Sequence, residues 1–436
     1  MGYQKQIDNI LEQLISYKSI SPKDCGSIDY IACFLQKIGF SVITKEFGNN
    51  EEKTNNLYAY LRYNDVNKNS KVKDNCNYTE KYDNLCFSGH IDVVDPVDTS
   101  KWINQNPFKL YIDNNNKYYG RGVVDMKGAV AVMLISVKNF LEKQKLLTDN
   151  INKDNITKNS KYLSFLITSD EEGKALNGTK KMLEYIYSNK EIPKPSICIN
   201  GEPTSDQYIG DIIKIGRRGS MHVDIDITGV AGHVAYHQKA LNPIDISALI
   251  ITELKKIKFD KGDKYFDPSN LEFTKIEVKN HSSNVIPIQA KIRANIRYNN
   301  IENKESKKYI SKEDYIVNII KDKIDYIIQE NSNLKDKDSS NQYSYKINFI
   351  NSSKPFFQEK TDRMSFYINA INSIFPTKIS CSGGTSDARF IYKYCPVIEL
   401  GLKFHTAHKI NEHTENIDLQ NLYKVYYELV NRHFDG

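Results

Sequence analysis

The stretch Tyr162-Leu163-Ser164-Phe165-Leu166-Ile167-Thr168-Ser169 is almost entirely apolar and runs directly into Asp170-Glu171-Glu172-Gly173. A brief apolar run closed by acids and Gly reads as a buried strand. Glu171 and Glu172 therefore lie at a strand end, where burial is expected and where adjacent carboxylates repel unless something positive shares them. Residues 85–88 and 196–200 read the same way, leading into Ser88-Gly89-His90-Ile91-Asp92 and Gly201-Glu202-Pro203. Met126-Lys127-Gly128-Ala129-Val130-Ala131 reads as a helix whose small residues permit close packing. Strands alternating with helices predict an α/β body on a mixed, largely parallel sheet. Ligands of such sheets gather beyond the carboxyl ends of the strands, where His90, Glu171, Glu172 and Glu202 fall.

The chain has 436 residues, more than one core usually organises, so two domains are expected. From about Arg218 the pattern becomes that of half-buried strands, with Val223, Ile225 and Ile227 alternating with Asp224, Asp226 and Thr228. The order from there is β-α-β-β-α-β, which predicts a ferredoxin-like α+β insertion over 218–353. The larger domain is then discontinuous, 1–217 and 354–436. Asn/Lys-rich stretches at 64–84, 146–161, 300–312 and 331–342 read as loop expansions.

Net charge is +6, from 60 basic and 54 acidic residues, without the clustered basic stripe of a nucleic-acid reader. The longest apolar run, near 129–137, is too short to cross a bilayer. The first helical pattern, on Ile7, Ile10, Leu11, Leu14 and Ile15, is amphipathic rather than a signal peptide. Seven cysteines form no C-x-x-C pair, which suits reduced thiols in a cytoplasm. A soluble cytoplasmic protein with neither membrane nor nucleic-acid partner is expected.

Five segments deliver acids or histidines after apolar runs: His90 and Asp92, Asp125 after Gly120-Arg121-Gly122, Glu171-Glu172, Glu202, and His408 far downstream. Each alone has a bland reading. H-x-D is a capped turn, Asp125 an N-cap, Glu-Glu an exposed pair and Glu202 a turn acid. Together they make a two-metal hydrolytic site. Asp125, Glu172 and Glu202 face two divalent cations, a single hydroxide neutralises the remaining charge, and His90 and His408 stay neutral. Asp125 bridges, so each cation has one His, one terminal carboxylate and two shared ligands, a four-coordinate set that zinc prefers. Glu171 is the carboxylate left free. Asp92, at i+2 from His90, is expected to orient the imidazole.

The ordered motifs resemble the dinuclear zinc deacylase and peptidase superfamily that includes aminoacylases and acetylornithine deacetylases. Four segments resemble the branch that hydrolyses N-succinyl-LL-2,6-diaminopimelate in lysine and diaminopimelate biosynthesis: Gly120-Arg121-Gly122-Val123-Val124-Asp125-Met126-Lys127-Gly128, Gly216-Arg217-Arg218-Gly219-Ser220, Gly232-His233-Val234-Ala235-Tyr236 and Ser382-Gly383-Gly384-Thr385-Ser386-Asp387-Ala388-Arg389-Phe390-Ile391. The similarity runs essentially end to end between the Asn/Lys-rich loops. It implies His90, Asp125 and Glu202 on one zinc and Asp125, Glu172 and His408 on the other, with Co2+ or Mn2+ as alternatives in one site. Glu171 is implied as general base and Asp92 as the support of His90. His233 is implied as an oxyanion donor reaching across a homodimer formed through the inserted lid domain. Arg217, Arg218, Arg297 and Arg389 are candidate forks for substrate carboxylates, with Asn284, Gly384, Thr385 and Ser386 as further substrate contacts. His405 competes with His408 on spacing alone, and the Lys409-Ile410-Asn411-Glu412 tail favours His408. Two departures from the branch bear on substrate choice: His237 stands where proline usually follows Ala-Tyr, and Phe404 where many relatives carry a small or polar residue. A related deacylase, of acetylornithine or aminoacylase type, and a non-catalytic metal scaffold are the competing readings. Retention of Glu171 weighs against the scaffold.

Overall fold

The computed structural model describes residues 2–49, 52–63, 83–144, 161–302, 306–332 and 342–435. Most of the Asn/Lys-rich stretches (64–82, 145–160, 303–305 and 333–341) lie outside the described residues. The chain divides into two compact units: Met1–Ile215 with Gln358–Ser380 and Ser386–Gly436, and Gly216–Phe357 with Cys381–Thr385. The sequence placed 381–385 with the first body. The structure ties it to the second through Cys381, whose N–H donates to the Tyr265 carbonyl at 2.7 Å, and through the Gly384 carbonyl, which accepts from Arg217 Nη1 at 3.2 Å.

The first unit is built on an eight-stranded sheet in the order Ser41–Phe47, Thr54–Tyr63, Lys161–Thr168, Asp83–His90, Ile197–Asn200, Val397–Glu399, Ile212–Lys214, Lys378–Ser380. The four consecutive strands from Lys161–Thr168 to Val397–Glu399 pair in parallel. All four are buried at their centres, as their near-continuous apolar sequences require. Their carboxyl ends deliver His90, the Glu171-Glu172 turn, Glu202 and Glu399 to one edge of the sheet. Helix Lys127–Lys143 packs against the closing helix Asn416–Asp435 and against Tyr3–Ser16, whose apolar stripe Ile7, Ile10, Leu11, Leu14 and Ile15 is buried. Lys127 joins the two ends of this layer. Its buried ammonium donates to the carbonyls of Leu14 and Tyr17, both at 2.9 Å, satisfying acceptors that the first helix leaves open. Gly201 allows the next layer to close, since a Cβ there would meet Met133 Cε at 2.4 Å and Met126 Cε at 2.6 Å.

The second unit has a four-stranded antiparallel sheet ordered Asn270–Glu277, Gln289–Tyr298, Gly219–Thr228, Ser344–Ser353. With helices Pro243–Leu254 and Lys312–Ser332 this is the β-α-β-β-α-β arrangement, with the first and third strands central. Val223, Ile225 and Ile227 pack with Ile292, Ala294 and Ile296 against Ile246, Ile250, Ile316, Ile320 and Ile324. Each buried Ile or Val contributes roughly 1.5–3 kcal/mol. The alternate positions face outward and pair across strands, as Asp224 does with Arg293 and Asp226 with Lys291.

His433 on the closing helix provides a test of this packing. The Tyr162 carbonyl lies 2.9 Å from its Nε2 and can only accept, so that nitrogen carries the proton; Nδ1 then accepts from the Tyr367 hydroxyl at 2.8 Å. Burial pushes the imidazole down to about 4. A group depressed in this way contributes stability that is present above its unfolded value of about 6.5 and is lost as pH falls toward about 4, roughly 3 kcal/mol in full. His433→Gln is expected to shrink the difference in unfolding free energy between about pH 7.5 and pH 5 by about 2 kcal/mol. An unchanged difference in denaturant titrations of the two proteins would assign the acid sensitivity elsewhere.

Candidate metal centre

The candidate ligands of the first unit meet beyond the carboxyl ends of the parallel strands. His90 ends the strand Asp83–His90 and is buried. The Asp92 carbonyl lies 2.9 Å from its Nδ1 and can only accept, so Nδ1 carries a proton and Nε2 is the nitrogen turned toward the acids. That Nε2 stands 3.2 Å from Asp125 Oδ1 and 3.8 Å from Glu202 Oε1. On the other side, His408 Nε2 stands 3.2 Å from Asp125 Oδ2 and 2.7 Å from Glu172 Oε1. Asp125 thus turns one oxygen to each imidazole.

Three groups place one donor atom per residue within 4.8 Å of one another: His90–Asp125–Glu202, Asp125–Glu172–His408 and His90–Glu171–Glu172. The first two share Asp125, and each offers one nitrogen and two carboxylates. This donor set fits a pair of divalent cations of the zinc class. The third group brings Glu171 beside both. His408 reaches its place from a left-handed backbone, φ +62°, a conformation uncommon for a non-Gly residue and concentrated at functional sites. His405 does not compete with it: its Nε2 pairs with Asp206 Oδ1 at 3.0 Å and belongs to none of the three groups.

Electrostatics in the cluster reflect crowding. Burial pushes the Glu171 carboxyl up and the Glu202 charge adds to it, carrying it well above the usual carboxylate range. Glu172 is raised by burial and by Asp125, against its hydrogen bond to His408. Burial acts to lower the His90 imidazole, yet the hydrogen bond to Asp125 and the charges of Asp92 and Glu202 carry it well above its ordinary value. His408 is pushed up to about 10 by its hydrogen bonds to Asp125 and Glu172. A cation held here would compete with protons for the same nitrogens and release them on binding.

Asp92 acts differently from the expectation that its carboxylate would orient His90. The imidazole is fixed by the Asp92 carbonyl, and the carboxylate Oδ1 lies 3.6 Å from Nδ1. The carboxylate is spent instead on the turn that presents the two acids: Oδ2 accepts the backbone N–H groups of Glu171 at 3.1 Å and Glu172 at 3.0 Å. Sequence spacing carried no sign of this because its partners lie 79 and 80 residues away.

Ser386 also departs from expectation. It is fully buried, and its hydroxyl donates to Glu399, which also accepts from Asn200 Nδ2 at 3.2 Å. Its side chain serves this buried network. In the second unit Arg217 is buried and donates to the Gly384 carbonyl. Arg218 Nη1 donates to the Pro268 carbonyl at 3.2 Å and to Asn270 Oδ1 at 2.9 Å. Burial and the Arg218 charge both act to lower the Arg297 guanidinium, so two cations stand close together there. His233 is exposed and its Nδ1 accepts the Ala235 N–H at 3.1 Å, leaving Nε2 as the donor of the neutral ring. Asn284 is exposed, and its carbonyl accepts from Val234 at 3.1 Å, holding the His233 loop. A Cβ at Gly384 would meet nothing within 4 Å.

Two acids received no role from the sequence. Asp387 is buried and pushed up to about 6 by burial, against the pull of Arg389, and its charge adds to that felt by Glu171. Glu412 is fully buried and paired with Arg121 Nη1 at 2.8 Å. The signal was present only as the acid ending the tail after His408.

Among the described residues no helix is long and apolar enough to cross a membrane. The model of peptidase family M20/M25/M40 matches residues 86–432. The chain is 41% identical over 422 residues to the succinyl-diaminopimelate desuccinylase of Rickettsia bellii (strain RML369-C), covering 96% of this chain and 95% of that protein. It is 40% identical over 427 residues to that of Rickettsia rickettsii (strain Sheila Smith), covering 97% and 98%. The crystal structure of a tripeptidase from Staphylococcus aureus superposes with a TM-score of 0.67 at 16% identity, covering 99% of each chain, and so shares the fold. With the family match spanning most of its length and relatives this similar end to end, the chain belongs to peptidase family M20/M25/M40.

Proposed function

We propose that the protein hydrolyses N-succinyl-LL-2,6-diaminopimelate to succinate and LL-diaminopimelate in lysine and diaminopimelate biosynthesis. The observation that carries this reading is Asp125, whose two oxygens face two separate imidazoles. His90, Asp125 and Glu202 hold one cation and Asp125, Glu172 and His408 the other, zinc in both or with Co2+ or Mn2+ in one. When bound, the pair supplies Lewis acidity and lowers the pKa of water toward neutrality. Glu171, held by Asp92, takes the proton of the attacking water and returns it to the departing amine. His233 donates Nε2–H to the oxyanion, reaching from the second unit of a partner copy in a homodimer. Arg218 and Arg297, two cations that a carboxylate would relieve, bind an acidic end of the substrate with Asn284 and Thr385. Arg217 supports the Gly384 loop, and Ser386 is withdrawn as a substrate contact.

The desuccinylase names of relatives at 40–41% identity over nearly the whole chain support the succinyl substrate over the acetyl one. The six described cysteines form no disulfide with one another, in keeping with a reducing cytoplasm. Zinc-reconstituted protein assayed in parallel on N-succinyl-LL-diaminopimelate, N-acetylornithine and simple N-acyl amino acids is expected to favour the first by roughly 100-fold or more in kcat/KM, the discrimination available when buried polar partners would otherwise stay unpaired. A preference for N-acetylornithine would replace this reading with the related deacylase.

A further inference from the structure

Glu412 has the fullest set of donors of the acids around the centre, and it is outside every candidate ligand group. Its Oε1 accepts the N–H groups of Val124 at 2.8 Å and Asp125 at 3.1 Å. Its Oε2 accepts the N–H of Gly122 at 2.9 Å and Arg121 Nη1 at 2.8 Å. Its own carbonyl accepts the Gly120 N–H at 3.2 Å. The turn of residues 120–125 is thus wound around a single carboxylate. Gly122 permits the winding, at φ +85° and with Val93 Cγ1 only 2.6 Å from where a Cβ would sit. Arg121 is itself buried, its guanidinium 5.1 Å from the Trp102 ring centre.

The other end of the connection is the segment that carries His408. Thr406 Oγ1 donates to the His413 carbonyl at 2.6 Å and accepts the His413 N–H at 3.1 Å, which closes residues 406–413 into a loop. Asn411, also left-handed at φ +60°, accepts the Ile103 N–H at 2.7 Å through Oδ1. Glu412 therefore sits where the Asp125 turn and the His408 loop meet. His90 ends a strand of the central sheet, Glu202 follows another by two residues, and the Glu172 turn has its own anchor in the Asp92 carboxylate. Asp125 and His408 come from irregular backbone, and their mutual placement passes through Glu412.

We infer that Glu412 is a positioning residue that sets Asp125 against His408 and thereby controls the ion shared by Asp125, Glu172 and His408 more than the ion at His90, Asp125 and Glu202. The inference rests on the two-cation reading above. A carboxylate receiving four donors cannot be replaced by an amide without turning an NH2 group toward backbone N–H donors. Glu412→Gln therefore rotates or slackens the turn while conserving volume. Partners that orient ligands from behind cost roughly 10–100-fold in metal affinity when altered.

The experiment is calorimetric titration of chelator-stripped protein with Zn2+, repeated with Co2+ while following the visible absorption of the bound ion. His90→Ala and His408→Ala, titrated alongside, assign the two binding steps. In Glu412→Gln the step that His408→Ala removes is expected to weaken by roughly 10–100-fold, with the Co2+ spectrum of that site altered, while the other step stays within about threefold of the parent, well below that range. Equal weakening of both steps, or none, overturns the inference and leaves Glu412 as an anchor of stability. Should Glu412→Gln fail to fold, Glu412→Asp keeps the charge, shortens the reach by one methylene and is read by the same criteria. A parent protein that binds fewer than two ions overturns the two-cation reading itself, an outcome distinct from any change confined to the variant.

Discussion

Glu171→Gln is expected to keep both cations and to lower kcat by roughly 10²–10⁴-fold, the range over which a positioned acid–base group acts. The change is isosteric, and the backbone N–H that Asp92 accepts is untouched, so the turn carrying Glu172 stays in place. Burial and the Glu202 charge raise the Glu171 carboxyl well above the ordinary range, which brings it toward the pH at which a proton is both taken and returned. An amide of the same shape can do neither. KM should move little, because neither proposed cation depends on Glu171. Metal analysis together with steady-state kinetics checks this, and full turnover would remove Glu171 as the base. The same variant tests the partner contribution of His233. A dimer mixed from Glu171→Gln and His233→Ala chains contains one site with Glu171 from one copy and His233 from the other. Activity reappearing on mixing two inactive preparations is the expected result; no recovery would place His233 in its own subunit's reaction or in none.

The parallel strands and most of the candidate ligand cluster were legible in the sequence for one physical reason. A strand buried on both faces is almost purely apolar, so the acids and histidines that close it mark the carboxyl edge of the sheet. His90, Glu171, Glu172 and Glu202 all carry that mark, and the antiparallel second unit is equally plain in the alternation of residues 222–228. Residues whose work is done through tertiary hydrogen bonds were not legible. The Asp92 carboxylate serves two amides on another strand's turn, the Ser386 hydroxyl serves Glu399, and Glu412 holds a turn 287–291 residues away. Nothing local distinguishes such an acid from an exposed one. The guanidinium of Arg217 illustrates the same limit, since the Gly384 carbonyl takes a donor that the sequence had assigned to substrate.

Asp125→Ala is expected to abolish the two-cation state, and its consequences follow from a single side chain that faces both ways. Each proposed cation loses one of three protein donors, and the two losses come from one substitution because Oδ1 faces His90 and Oδ2 faces His408. Removing a direct donor should exceed the roughly 10–100-fold effect of an outer partner, so zinc affinity is expected to fall by more than about 100-fold at both positions. Chelation of the parent protein should abolish activity as fully, but that loss is reversed by adding zinc and the loss in Asp125→Ala is not. Electrostatics supply a second, metal-free readout. His408 is pushed up to about 10 chiefly by its hydrogen bond to Asp125, with Glu172 second. In stripped Asp125→Ala its imidazole should therefore lose its proton at lower pH than in the stripped parent, a shift that NMR titration of the ring resonances reads directly. Asp125→Asn separates charge from geometry: it retains one carbonyl oxygen and is expected to hold at most one ion. A Asp125→Ala protein that binds two zinc ions per chain and turns over substrate would show that the shared carboxylate does not join the two sites.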